Sequence, residues 1–384
     1  MPRRLFAAGL LALFCAWLAG SGCSSTSLSS RLVAPGGASP LLGMVDTETL
    51  LKQLPDHSGT LPGRDQVPIF WRAFEPGDYA FNYHFSRSRK TGGGLSNAFK
   101  FEFDPRTAAQ PRSAPRGTVV LLHGWMMDGN SLLPWSLTLA QAGYRTIALD
   151  LRNHGRSGAG LSGYGTRESD DVVQVIGELR ERGEIVGPLY LFGVSYGAAT
   201  ALFSADKLGD QVAGVVALES FANAGRGIRD MVPHMLAESP HGWQGRAVSE
   251  YMRWRYGSQD LDQVIAAADR QLGLDLDRLD VAPAVSDSRA CVLLLHGDAD
   301  RHIPVAHGRL LAASAPRARY LELHEEDHLS LPMRIDLLAP MVEQWFAANP
   351  QPQAQCPAPL QLPAGNEIRA SLSPDSPANP ASQG

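Results

Sequence analysis

Cysteine is scarce in this 384-residue chain: there are four, at positions 15, 23, 291 and 356, and no two form a C-x-x-C pair. No Cys/His cluster has zinc spacing, which argues against a structural metal, and no metal or cofactor is expected. An excess of positive charge is also missing. The net charge is −5 and no basic stripe alternates with aromatics, so nothing points to nucleic acid. There is no sustained heptad and no repeat period, which excludes coiled coils and solenoids. No apolar run reaches the about 20 residues of a membrane-spanning helix. What remains is 44% hydrophobic and 19% charged, a globular composition with enough apolar material for a sizeable core.

The N-terminus carries its own signal. Arg3 and Arg4 precede an apolar stretch from Leu5 to Leu18, followed by the small residues Ala19-Gly20-Ser21-Gly22 and then Cys23. A charged, an apolar and a small-residue region in that order read as a secretory signal over residues 1–22. Cys23, followed by Ser24-Ser25-Thr26-Ser27, resembles the lipid-modified first residue of a bacterial lipoprotein, although Gly20 stands where leucine is usual. That resemblance implies a protein anchored to a membrane surface in the cell envelope, with simple secretion as the alternative. Cys291 opens an apolar strand and reads as a small buried hydrophobe. A pairing with Cys356 is not expected.

Residues 23–65 are rich in Ser, Gly, Pro and Leu and read as a tether and arm. From Thr118 the sequence alternates short apolar runs with helical stretches. Strands are predicted at 118–122, 145–149, 189–192, 214–218, 292–295 and 319–323, with helices between them and a last helix near 335–347. Apolar strands separated by helices imply an α/β fold with a mostly parallel sheet covered on both faces. The core is assigned to 66–218 and 291–347. Residues 219–290 break the alternation with helical, aromatic-bearing sequence and read as an inserted cap; its aromatics Trp243, Tyr251, Trp254 and Tyr256 read as packing the cap's interior. The Pro-, Ala- and Gln-rich stretch 348–384 reads as a disordered tail.

The chemistry starts at Gly193-Val-Ser195-Tyr-Gly197, a G-x-S-x-G pattern between an apolar strand and a small-residue helix. In a nucleophile elbow the serine sits at a sharp strand-to-helix turn that only glycines at both flanks permit. A serine hydroxyl needs a base and an orienting group. Such partners are sought beyond the carboxyl ends of parallel strands. Two strands end in the same dipeptide, at His123-Gly124-Trp125 and at His296-Gly297-Asp298-Ala299-Asp300.

With these residues, over roughly 66–347, the chain resembles the α/β-hydrolase family, whose members order their nucleophile, acid and histidine as this sequence does. The resemblance implies Ser195 as nucleophile, Asp300 as orienting acid with Asp298 as competitor, and His328 as base with His324, His302 and His307 as competitors. It also implies an oxyanion hole made by the backbone N–H groups of Trp125 and Tyr196, with His123 structural. The segment from Asp150 to Gly158 resembles a family loop with a structural role. The expected reaction is hydrolysis of a small-molecule or lipid ester through an acyl-enzyme. Amide hydrolysis, which the tyrosine of G-x-S-Y-G peptidases suggests, and acyl transfer are the rivals, and a non-catalytic binding module is the outsider.

Overall fold

The computed structural model describes residues 28–36, 51, 54, 56–89, 95–103, 110–111, 114–238, 243–315, 317–351, 356–358 and 368–372. The expected signal segment and Cys23 lie outside them. A short helix α1 (Leu28–Val33) is followed by β1 (Asp56–Pro62) and β2 (Pro68–Phe74), an antiparallel pair. Four further strands come next: β3 (Gly77–Asp78), the hairpin β4 (Phe81–Arg89) and β5 (Leu95–Phe103), and β6 (Gln110–Pro111). The main alternation is β7 (Thr118–Leu122), α2 (Leu133–Gln141), β8 (Arg145–Leu149), α3 (Thr166–Glu181), β9 (Leu189–Val194), α4 (Tyr196–Leu208) and β10 (Gly214–Leu218). Three helices interrupt it, α5 (Ala224–Ala237), α6 (Trp243–Tyr256) and α7 (Leu261–Leu272). It resumes with α8 (Ala282–Asp287), β11 (Cys291–Gly297), α9 (Ala306–Ser314), β12 (Arg319–Leu323), α10 (Ile335–Ala348) and β13 (Ile368–Leu372).

Nine strands form one sheet in the order β1-β2-β8-β7-β9-β10-β11-β12-β13. The six from β8 to β12 are parallel, and antiparallel strands flank them on both sides. Side chains alternate between the faces. Val120 and Leu122 of β7 join one apolar core, Val119 and Leu121 the other. Both faces are therefore buried, as unbroken apolar runs such as Val119-Val-Leu-Leu122 require. Among the described residues no helix is long and apolar enough to cross a membrane.

The structure adds to or departs from the sequence reading in three places. The stretch 23–65, read as a tether and arm, contributes β1 as an edge strand of the main sheet, and α1 buries Leu32 while Tyr164 Oη donates to the Leu32 carbonyl at 2.9 Å. The tail is not wholly without structure, because β13 pairs antiparallel with β12 and takes up its open edge. Finally, Cys291 and Cys356 form a disulfide, with Cα atoms 5.4 Å apart and both residues buried. Arg319 steadies the same segment by donating to the carbonyls of Cys356 and Pro357 at 2.6 and 3.1 Å. Composition alone misses this clasp, because its partners lie 65 residues apart and meet only once β11 and β12 are in the sheet.

Candidate active site

Ser195 sits between β9 and α4 with φ 53° and ψ −114°, a strained backbone held in place by its surroundings. The Ser195 N–H donates to the Leu218 carbonyl at 2.8 Å, tying the turn to β10. Both glycines of the motif are dictated by contact. A Cβ on Gly193 would lie 2.3 Å from the Gly197 carbonyl oxygen, and one on Gly197 would lie 2.1 Å from that of Leu122. Small residues then let α4 press on the sheet, with Ala198, Ala199 and Ala201 fully buried.

The loop after β12 brings His328 to this serine, with Nε2 2.9 Å from Ser195 Oγ and Nδ1 2.7 Å from Asp300 Oδ2. Asp300 lies in the loop after β11, and its other oxygen accepts the N–H groups of His302 and Ile303 at 2.8 and 2.9 Å. Burial opposes the charge on Asp300, but His328 and His296 outweigh it and hold the carboxyl well below the usual carboxylate range. Glu326 anchors the histidine loop from beneath. Its buried carboxylate takes Arg87 from the β4–β5 hairpin, Arg334 and the Ser330 hydroxyl. Gly297 makes room, since a Cβ there would lie 2.1 Å from the Glu326 carbonyl oxygen.

The competing residues are placed elsewhere. His324 pairs with Asp298 at 2.8 Å. His302 lies against the face of the His328 ring, centroids 5.3 Å apart, and burial together with His328 and His234 pushes its pKa down to about 4. His307 accepts the Ala222 N–H through Nδ1 and meets Asp230 through Nε2, bridging α9 to the start of the cap.

Two buried, neutral histidines hold the loop after β7. His123 donates from Nδ1 to the Gly124 carbonyl and accepts the Leu151 N–H at Nε2, at 2.8 and 3.0 Å. His154 donates from Nδ1 to the Arg152 carbonyl and accepts the Met126 N–H at Nε2, at 2.8 and 3.1 Å. Burial lowers them to about 4 and about 3. His154 thus braces the loop that carries Trp125. Asp150 plays a similar part, accepting the N–H groups of Gly129 and Arg156 at 2.7 and 2.8 Å.

One acidic residue escaped the sequence reading. Glu219 follows β10 with φ 55°, is fully buried, and puts Oε2 3.6 Å from His328 Nδ1. Neither of its oxygens reaches full hydrogen-bond geometry with a partner. Burial, then Asp300, Asp327 and Glu326, push its carboxyl well above the ordinary value, and the Gly297 N–H offsets this only in part. Asp300 and Glu219 thus flank one histidine, their surroundings favouring the charge on Asp300 and the proton on Glu219. The readable signal was a glutamate at the carboxyl end of a parallel strand, the position that also yields Ser195.

A cavity opens on Ser195. Trp125 and Tyr196 line it on the core side, Phe221, Ile228 and Met231 on the cap side. The cap's footing is polar: Arg229 of α5 reaches Asp262 at 2.9 Å and Asp277 at 3.0 Å. Among the described residues three sets of groups offer atoms to a cation within 4.8 Å of one another, His234–Glu238–His302, Glu219–Asp300–His328 and His57–Glu75–Glu184. The second is accounted for by the hydrogen bonds above.

The sequence profile of the alpha/beta hydrolase family matches residues 119–347. An uncharacterized protein, YqkD of Bacillus subtilis (strain 168), is 29% identical over 121 residues, which span 32% of this chain and 39% of that protein. Among solved structures, the esterase Pf2001 of Pyrococcus furiosus has a TM-score of 0.52 at 15% identity, covering 77% of this chain and 93% of its own. An esterase of Exiguobacterium antarcticum has a TM-score of 0.47 at 18% identity, covering 74% and 98%. At such identity the likeness is one of fold, and the family follows from the profile, which takes in the nucleophile turn and the loops bearing Asp300 and His328. The chain belongs to the alpha/beta hydrolase family.

Proposed function

We propose that this protein is a serine hydrolase that cleaves carboxylic esters through an acyl-enzyme. One observation carries the reading: the unbroken chain of short hydrogen bonds from Ser195 Oγ through His328 to Asp300. In this reading Ser195 Oγ attacks the acyl carbon while His328 Nε2 takes its proton. Asp300 fixes the ring with Nδ1 protonated and stabilises the imidazolium. The N–H groups of Trp125 and Tyr196 receive the oxyanion, a contribution of about 3 kcal/mol per donor in comparable sites. His328 then returns the proton to the departing alcohol. Water, deprotonated by the same nitrogen, attacks the acyl carbon and releases the acid.

The cavity favours esters over aminoacyl amides. Its lining, from Trp125 to Ile303, is apolar apart from Ser195 and two tyrosines, and holds no carboxylate to pair with a substrate ammonium group. The test is turnover of p-nitrophenyl esters of graded acyl length beside aminoacyl anilides. Short to medium esters should be hydrolysed and Ser195→Ala should be inactive. Anilides turned over in preference to esters would overturn the substrate class, and full activity in Ser195→Ala would overturn the mechanism.

We further propose export, with a lipid anchor at Cys23. The Cys291–Cys356 disulfide supports an oxidising compartment. Cys23→Ser should move the protein from the membrane to the soluble fraction, and retention at the membrane would contradict the anchor.

A further inference from the structure

The sequence reading placed the cap aromatics Trp243, Tyr251 and Trp254 in the cap's interior, and the structure turns them outward. They are 73%, 51% and 74% exposed, whereas Tyr256 of the same helix is buried. At about 100° per residue, Trp243, Ala247, Tyr251 and Trp254 fall within an arc of about 80°. Ser249 and Tyr256, the buried residues of α6 among those whose side chains are described, lie on the opposite side. The helix therefore packs on the side of Ser249 and Tyr256 and offers an aromatic stripe to the surroundings. Within the stripe the Tyr251 and Trp254 rings lie 5.9 Å apart. Single exposed apolar residues are ordinary, whereas a contiguous aromatic face on one helix marks an interaction surface.

Charge identifies the partner. The chain as a whole is acidic, yet α6 carries Arg246, Arg253 and Arg255 against one acid, Glu250, which pairs with Arg253 at 2.5 Å. On the helical projection Arg246 and Arg253 flank one side of the stripe and Arg255 the other. An aromatic face bordered by arginines is the pattern of a helix lying in the plane of a lipid headgroup layer. Tryptophan and tyrosine suit that depth, with a ring in the acyl boundary and a polar edge in water. Arginines beside them meet anionic headgroups.

We propose that α6 docks the protein on an anionic bilayer surface, Trp243, Tyr251 and Trp254 entering the headgroup layer and the flanking arginines pairing with lipid phosphates. The location is consequential, because α6 packs against α5, and α5 supplies Ala224, Gly227, Ile228 and Met231 to the wall of the cavity before Ser195. The docking face and the cavity thus share one cap. The proposal adds a second membrane contact to the anchor read at Cys23, and it requires neither that anchor nor the serine mechanism.

The test uses the full chain with Cys23→Ser, so that no acyl chain can hold it, and sediments it with vesicles of phosphatidylcholine alone or mixed equally with phosphatidylglycerol. Binding to the mixed vesicles and weak binding to phosphatidylcholine are expected. Trp243→Ala with Trp254→Ala should abolish sedimentation with both. Arg246→Gln with Arg255→Gln should weaken binding to the mixed vesicles by about tenfold or more and leave the phosphatidylcholine value unchanged. Unchanged melting temperatures would show both variants folded, a readout independent of turnover. No vesicle binding by the parent, or equal binding by the tryptophan variant, would overturn the proposal. So would a dimer in solution that the tryptophan substitutions convert to monomer, because the face would then belong to a second copy.

Discussion

Two histidine–aspartate pairs stand at the carboxyl ends of β11 and β12, and their hydrogen bonds are nearly the same. His324 Nδ1 meets Asp298 at 2.8 Å, and His328 Nδ1 meets Asp300 at 2.7 Å. They differ in burial and in what lies beyond. The His324 and Asp298 side chains are 21% and 15% exposed, whereas those of His328 and Asp300 are 11% and 0% exposed. Asp298 spends its second oxygen on the Glu325 N–H, closing the loop, while Asp300 binds two N–H groups that fix it beneath His328. Only His328 has Ser195 at its other nitrogen. A histidine–aspartate bond is therefore no mark of catalysis by itself. The third partner, and the loss of water around the acid, distinguish a working pair from a structural one.

The comparison breaks most sharply at the histidines. His328→Gln should lower kcat for a p-nitrophenyl ester by about 10⁶, the scale seen when a triad histidine is removed. His324→Gln should leave kcat near that of the parent. Steady-state kinetics on the two purified variants checks this, and comparable losses in both would erase the distinction.

The acids come next. Asp300→Asn should lower kcat by about 10⁴, because the ring loses its orienting partner. Asp298→Asn should chiefly lower the melting temperature, through the loop it closes. An Asp298→Asn variant with the larger kinetic defect would reverse the assignment.

A smaller effect should reach both pairs equally. Cys291 begins β11, the strand that leads to both aspartates, and its disulfide closes a separation of 65 residues. Chain-entropy arguments give such a link about 4 kcal/mol of stability. Cys291→Ser with Cys356→Ser should lower the denaturant midpoint accordingly, while kcat well below the melting range is retained. An unchanged midpoint would show that the clasp stabilises nothing.

The smallest effect belongs to the His328 pair alone. Burial beside Asp300 makes Glu219 hold its proton more tightly in the fold than in the unfolded chain. A group whose folded pKa is raised in this way binds more protons in the native state, so stability falls as pH rises above the unfolded pKa. Glu219→Gln removes that cost. The melting temperature should rise at pH 8. At pH 4, where the unfolded glutamate is largely protonated as well, the gain should disappear. Equal effects at both pH values would mean that Glu219 is ionised in the fold.

Much of this was legible in the sequence, for identifiable reasons. The parallel strands announce themselves as apolar runs because both faces are buried, and the turn at Ser195 does so because contact forbids any side chain at Gly193 and Gly197. The residues His328 and Asp300 were readable from their places after strands. Glu219 also stands after a strand, but no motif separates a glutamate opening a cap insertion from an ordinary polar loop residue until the sheet sets it beside Asp300. The Cys291–Cys356 bond and the edge strands β1 and β13 depend on pairings across the whole sheet, which no local pattern carries. The outward turn of Trp243 and Trp254 escaped for a related reason. Helical spacing says which residues share a face, and only packing says which face is covered.

The most direct test of the central distinction is reaction with a fluorophosphonate ester, followed by peptide mass mapping of the parent, His328→Gln and His324→Gln. The account predicts an adduct on the Ser195 peptide in the parent and in His324→Gln, and none at matched times in His328→Gln. An adduct that survives loss of His328, or is lost with His324, would contradict it.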